Sequence, residues 1–280
     1  MSLKKISGLD ARYLYLILLI LSSIPILMPL GLPLAPSALT RSAYDFIENL
    51  PPGSVVILDA QHSTGYGPEL GTQFAALMKH LLSRPLKVVI VALGAEGPML
   101  VDMTFKGSTL SGSPINPDAY GKVYGEDYIF VGYIAGGETA IAAFARNSWI
   151  TEVDGEQKKP LSEFPIMEYC KTVDDWSLAI SVSGGNFEQM VAQWYSAYGT
   201  PIIFGAPGVS APRLYPYIGA GQVVAMLVSL TGAAEYELLI RKPGLAASLM
   251  DVLNLAQLLI VASIVIGNII YFATRQGGRA

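Results

Sequence analysis

The chain has 280 residues, 52% of them hydrophobic and only 14% charged, with a formal net charge of −4 and a mean hydropathy of +0.45. An ordinary soluble domain carries about 25% charged residues, so the composition excludes a wholly soluble reading and requires membrane segments. Between Pro36 and Ser248 stand 13 basic against 20 acidic side chains, a net of about −7, which repels nucleic acid and anionic lipid; the single cysteine, Cys170, excludes an internal disulfide or a cysteine zinc cluster.

In chain order, residues 1–12 read as a cytoplasmic N-terminus and 13–34 as a first transmembrane helix, an uncharged stretch of the roughly 20 residues that cross a bilayer core. A cleaved signal peptide competes with that reading, because Lys4 and Lys5 precede the apolar run. Against it, the run exceeds the roughly 7–15 residues of a signal core and no small-x-small site follows. Pro25, Pro29 and Pro33 are expected to kink or end the helix, since proline removes a donor and clashes with the preceding turn. Residues 35–248 form the central domain, 249–273 a second transmembrane helix and 274–280 a short basic C-terminus. Lys4, Lys5, Arg12, Arg275 and Arg279 outweigh Arg41, Arg241 and Lys242 on the domain side, which places both termini in the cytoplasm and the domain outside the cell membrane.

Within the domain, apolar runs predict strands over Val55–Asp59, Lys87–Leu93, Tyr128–Ile134, Leu178–Ser183 and Pro201–Phe204. They are continuous rather than alternating, as in parallel strands buried on both faces. Helices are predicted over Pro68–Ser83, where Leu70, Phe74, Leu77 and Leu81 form a stripe, and over Glu138–Arg146, Phe187–Tyr198 and about Gly219–Leu239. Lys106–Gly125 reads as a surface loop and Trp149–Asp175 as a polar insertion. The fold class is therefore α/β, a mainly parallel, Rossmann-like sheet with helices on both faces, flanked by two transmembrane helices.

In such a sheet, ligands bind at the carboxyl ends of the strands. The residues there are small: Gly65 and Gly67, Gly136 and Gly137, Gly184, Gly185 and Asn186 could bring backbone amides to a bound anion, with Asn186 as a helix N-cap. The same glycines also serve the backbone angles of tight turns. "GYGPELG" spells G-x-G-x-x-x-G rather than the dinucleotide fingerprint, and no Walker A sequence occurs, so no cofactor is evident.

Asp59, His62 and Glu69 share one strand-to-helix connection and could form an acid-base set, with Glu138 and Ser183 as further catalytic candidates. In the alternative, Asp59 caps the turn, His62 is solvated and Glu69 complements the helix dipole. "SVSGG" around Ser183 is not a G-x-S-x-G elbow, and His80 falls on a helix flank, so His62 is the base a hydrolase would need. Metal binding would require Asp59, His62, Glu96 and Glu138 to converge; no metal site is assigned.

Ala211–Gly244 is the most distinctive segment. Gly219, Gly221, Ala225, Gly232, Ala233 and Ala234 give it a small-residue side fit for a subunit interface or an internal contact, with Gln222 a further interface candidate. Glu235 and Glu237 are expected near Arg241 and Lys242 as a solvated charge cluster that borders that interface. With "LTRSAYDFIENLPPGSVVIL", the stretches "SAPRLYPYIGAGQ" and "GAAEYELLI" resemble a family of uncharacterised prokaryotic membrane-anchored α/β proteins with a P-Y-x-x-x-G-Q and G-A-A-E-Y-E pattern before a final span. The matching positions are Pro216, Tyr217, Gly221, Gln222, Glu235, Tyr236 and Glu237. The resemblance covers most of the chain after Thr40 and implies the topology, with no substrate.

Three functions follow as expectations: a membrane-anchored binding or assembly module, associating with itself or another membrane protein; a membrane-bound hydrolase or transferase working at the strand ends; and a solute-sensing domain.

Overall fold

Six parallel strands form one sheet in a computed structural model of the chain, which describes residues 10–28 and 30–276. Of the residues weighed for orientation and for the first span, Lys4, Lys5, Arg279 and Pro29 lie outside the described residues. The chain divides into two compact units, Leu34–Ala246 and the two flanks together.

In the central unit the strands are β1 (Val55–Gln61), β2 (Lys87–Ala92), β3 (Tyr128–Tyr133), β4 (Trp176–Ser183), β5 (Ile202–Ala206) and β6 (Ala225–Val228), in the order β3-β2-β1-β4-β5-β6. That order reverses direction between β1 and β4, which makes their carboxyl ends the switch point where doubly wound sheets form a crevice. Side chains alternate across a strand. Val55 and Ile57 enter one core with Phe144, Phe187 and Trp194, whereas Val56 and Leu58 enter the other with Ile47, Phe74 and Leu77.

The first core is covered by α5 (Glu138–Arg146) and by α6, which begins at Phe187–Met190 and continues as a π-helical turn over Val191–Ser196. The second is covered by α2 (Ala38–Glu48), α3 (Gly67–Ser83) and α4 (Gly97–Lys106). Two prolines with helix-compatible φ, Pro68 and Pro98, stand in the first turns of α3 and α4, where their missing N–H costs nothing.

One expected helix is corrected. Gly219–Leu239 is not continuous: a short α7 (Tyr215–Gly219), strand β6 and then α8 (Ser229–Leu239) occupy it. The apolar run Val223–Leu230 pairs with β5 before the chain turns, with Ser229 taking a left-handed φ of 61°. Glu235 and Glu237 are also not solvated. Glu235 is 5% exposed and accepts the N–H and hydroxyl of Ser37, while Glu237 is 2% exposed and accepts the Gly244 N–H at 2.8 Å. Between them Tyr236 is fully buried and donates its hydroxyl to His80 Nδ1 at 2.7 Å. Neutral His80 then donates through Nε2 to Glu48 Oε1 at 3.0 Å, a tautomer fixed by the acceptor-only carboxylate. His80 is accordingly a buried linker rather than a flank residue.

In the other unit, α1 runs Ala11–Leu27 with Asp10 as its N-cap, and α9 runs Leu245–Gln276. Only α9, through Leu245–Ala273, is long and apolar enough to cross a membrane among the described residues. The expected first span to Leu34 is cut short: the helix ends at Leu27, 17 residues or about 26 Å at 1.5 Å per residue, two residues after Pro25 and within a segment that also holds Gly31 and Pro33. Asp251, 3% exposed on α9, accepts the backbone N–H groups of Leu30, Gly31 and Leu32 at 2.9, 2.9 and 3.0 Å.

Candidate functional site

The parallel register sets Asp59 beside Ser181 and Gln61 beside Ser183 across the β1–β4 seam. Residues two apart share a face, so the four side chains form two polar rungs on the α5–α6 side. Ser181 Oγ donates to Asp59 Oδ2 at 2.7 Å, and Ser183 Oγ donates to Gln61 Oε1 at 2.9 Å. The backbone N–H of Leu93 reaches the other Asp59 oxygen at 3.1 Å. Asp59 is fully buried, and that burial, only partly offset by these two donors, pushes its pKa up to about 7.

His62 follows β1 on the opposite parity. It packs against Phe74 of α3, with ring centroids 5.6 Å apart, in the second core layer. An odd sequence separation therefore puts Asp59 and His62 on different faces, and they do not form the acid-base pair that their proximity in sequence suggests. His62 is 2% exposed, and among the described residues neither ring nitrogen has a hydrogen-bond partner. Burial pulls its pKa down to about 4; the nearby Val182 carbonyl, outside hydrogen-bonding geometry, and the Glu96 charge oppose this by less. It is a neutral core histidine rather than a solvated one.

The remaining acidic candidates tie loops together. Glu69 Oε1 accepts the Gly208 N–H at 2.7 Å, joining the start of α3 to the loop after β5. Glu138 accepts from Gln193 Nε2 at 3.1 Å. Glu96 accepts both the N–H and the hydroxyl of Thr64, at 2.8 and 2.7 Å, which lowers its pKa and fastens the loop after β1 to the loop after β2. Among the described residues no group of three or more His, Cys, Asp or Glu converges in a way that could hold a metal ion.

The glycines divide into fillers and turns. Gly184 lies so close under Tyr66 that a Cβ there would overlap the aromatic ring. Gly67 (φ 43°), Gly136 (φ 133°) and Gly137 (φ 56°) occupy backbone regions that disfavour side chains. Gly65 and Gly185 meet no such crowding, Gly185 having nothing within 4 Å of a built Cβ. Asn186 stands at the N-cap of α6, but in a left-handed conformation with φ 61° and without a side-chain cap bond. Ser183 Oγ instead accepts the Gly185 N–H at 3.0 Å.

Of the interface candidates, Gly219 and Gly221 are exposed and Gln222 is half-buried, whereas Gly232, Glu235 and Glu237 are buried within the domain. Gly232 faces the Leu227 backbone, 3.1 Å from a built Cβ.

An opening lies elsewhere, beside α4. It is a groove of about 600 Å³ bounded by α4, by Pro114–Pro117 and by Gly155–Glu156, with Tyr128 and Phe130 of β3 in its wall. Sequence reasoning missed it, together with Gln61, Tyr66 and Ser181. Only the parity of 59 and 62 was available beforehand; the partners depend on which strands meet.

No protein-family model matches the chain, and no curated protein or solved structure is significantly similar to it.

Proposed function

We propose that this chain is a membrane-anchored α/β binding or assembly module of a membrane-associated complex, with its recognition surface on the central domain. One observation carries the reading: the carboxylate candidates at the strand ends are committed to internal bonds, Asp59 to Ser181, Glu69 to Gly208 and Glu138 to Gln193, and Tyr66 fills the space over Gly184. Helix α9 supplies the anchor. In the fuller form of the proposal α1 is a second, shorter membrane segment, both termini are cytoplasmic and the domain is outside, in keeping with the basic residues near the ends. The prokaryotic family resemblance around Pro216–Glu237 belongs to the same reading.

Full-length protein cross-linked in the membrane, solubilised in mild detergent and sized by sedimentation should contain species larger than one chain. A single-chain species without cross-links overturns the assembly reading. Ser113→Cys, at an exposed loop position, should react with an impermeant maleimide from outside intact cells; reaction only after lysis overturns the orientation.

A second reading, a hydrolase or transferase, draws on the unpartnered ring nitrogens of His62 close to the switch point. It requires turnover of a test ester that both His62→Ala and Ser183→Ala abolish while the fold persists.

A further inference from the structure

The groove beside α4 has an apolar floor and an acidic rim. Val101 and Ile115 are buried beneath it, and the rings of Phe105 and Tyr128 lie 5.8 Å apart along its wall. Its volume of about 600 Å³ falls within the range of roughly 300–1,000 Å³ found for small-molecule sites.

Three lining residues are charged: Asp102, Lys106 and Glu156. Lys106 Nζ lies 2.7 Å from Asp102 Oδ1 in an i,i+4 pair, so those two charges answer each other. Among the described residues the Glu156 carboxylate has no hydrogen-bond or ion-pair partner. Its backbone N–H is held by Asp154 Oδ2 at 2.9 Å, which fixes the turn that presents it. Partial burial and the neighbouring Asp154 and Asp102 charges raise its pKa, with Lys106 opposing. Asp118, on the loop at the far side, adds to the negative field felt by Tyr128.

An occupant that covers the groove also covers Glu156, and a carboxylate removed from water needs a positive partner. An anionic ligand would meet the charges of Glu156 and Asp118, with the lining cation Lys106 already paired to Asp102. A neutral one would leave Glu156 dehydrated and unpaired. We propose that this groove binds a small amphipathic organic cation, with its apolar body against Phe105, Tyr128 and Phe130 and its ammonium group at Glu156. Aromatic faces beside the ammonium add cation–π attraction. The inference rests on the reading of the domain as a binding module and assigns that module a ligand class.

Three probes of similar size separate the possibilities: phenethylammonium, 2-phenylethanol and 3-phenylpropionate, titrated calorimetrically into full-length protein in detergent, with titrations into empty micelles subtracted. The cation should bind about tenfold more tightly than the alcohol, and the carboxylate least. Glu156→Gln, at an exposed position whose side chain supports no other group, should bring the cation to within about twofold of the alcohol, the electrostatic part being lost. Phe105→Ala should weaken cation and alcohol alike. Equal binding of all three probes, no binding at millimolar concentration, or a Glu156→Gln protein that keeps the preference overturns the ligand class. Sedimentation of the cross-linked complex is independent of the titration, so loss of the ligand class and loss of the assembly reading are told apart.

Discussion

Ser181 donates its hydroxyl to the buried carboxylate of Asp59 at 2.7 Å, across the seam where the strand order reverses. The bond belongs to the interior of the sheet and has a consequence for stability. Asp59 titrates at about 7 in the folded chain against an ordinary 3.8, so the folded state holds its proton longer and stability falls as pH rises through that interval. His62 does the reverse: its pKa of about 4 against 6.5 means the unfolded chain takes up a proton that the folded one refuses, and stability falls as pH drops from 6.5 to 4. The two dependences oppose each other. Asp59→Asn should expose the acid sensitivity of His62 and raise stability at pH 8, whereas His62→Gln should expose the alkaline penalty of Asp59. Each slope should be on the order of 1 kcal/mol per pH unit. Chemical denaturation from pH 4 to 8 measures both, and slopes of the same sign in the two variants would refute the assignment.

Gly184 is reserved for the ring of Tyr66, which a Cβ would overlap. Gly184→Ala should therefore destabilise the domain by about 1–3 kcal/mol, as overpacking does. Tyr66→Ala in the same chain should recover most of that loss. A double-mutant cycle with no coupling between the two sites would mean that the ring does not rest on this glycine.

The five strands from β1 to β5 were legible because runs such as Val55–Leu58 and Lys87–Ala92 are buried on both faces and carry no helical period. Strand β6 was hidden: Val223–Leu230 is a short apolar run without a distinguishing period, and the small residues after it suit a helix equally well. At the site, residue types were visible but partners were not. Ser181 meets Asp59 only through a pairing 122 residues apart in sequence, and Glu235 meets Ser37 across 198. Glu235 and Glu237 read as solvated because Arg241 and Lys242 follow them, yet folding brings backbone donors to both. Local sequence carries no trace of the Ser37 donor that Glu235 receives from so far away, while the Glu237 donor, Gly244, is brought round by the turn that follows α8.

The pattern residue Tyr236 is explained by His80. Both are buried, and Tyr44 stacks on the imidazole with ring centroids 5.0 Å apart. Burial holds the His80 pKa below its ordinary value despite the Glu48 carboxylate, so the ring stays neutral and Nδ1 needs a donor. Tyr236→Phe removes only that donor. It should cost about 1–3 kcal/mol, the penalty for an orphaned buried acceptor, and appear as a lower denaturation midpoint with an unchanged m-value. A change under about 0.5 kcal/mol, the range of an ordinary surface substitution, would show that the imidazole finds another partner.

Asp251 organises the segment after α1 through three backbone amides, and one carboxylate serving three donors is an arrangement no neutral side chain reproduces. Leu30 and Gly31 share Oδ2 and Leu32 takes Oδ1. Asp251→Ala frees all three amides. Hydrogen exchange at residues 30–32, measured on the full chain in detergent, should then accelerate by about tenfold or more, since each lost bond was charge-assisted. Asp251→Asn retains a single carbonyl oxygen and should fall between, protecting one or two amides and releasing the rest. Equal exchange in all three proteins would mean that the segment is held by something other than this carboxylate.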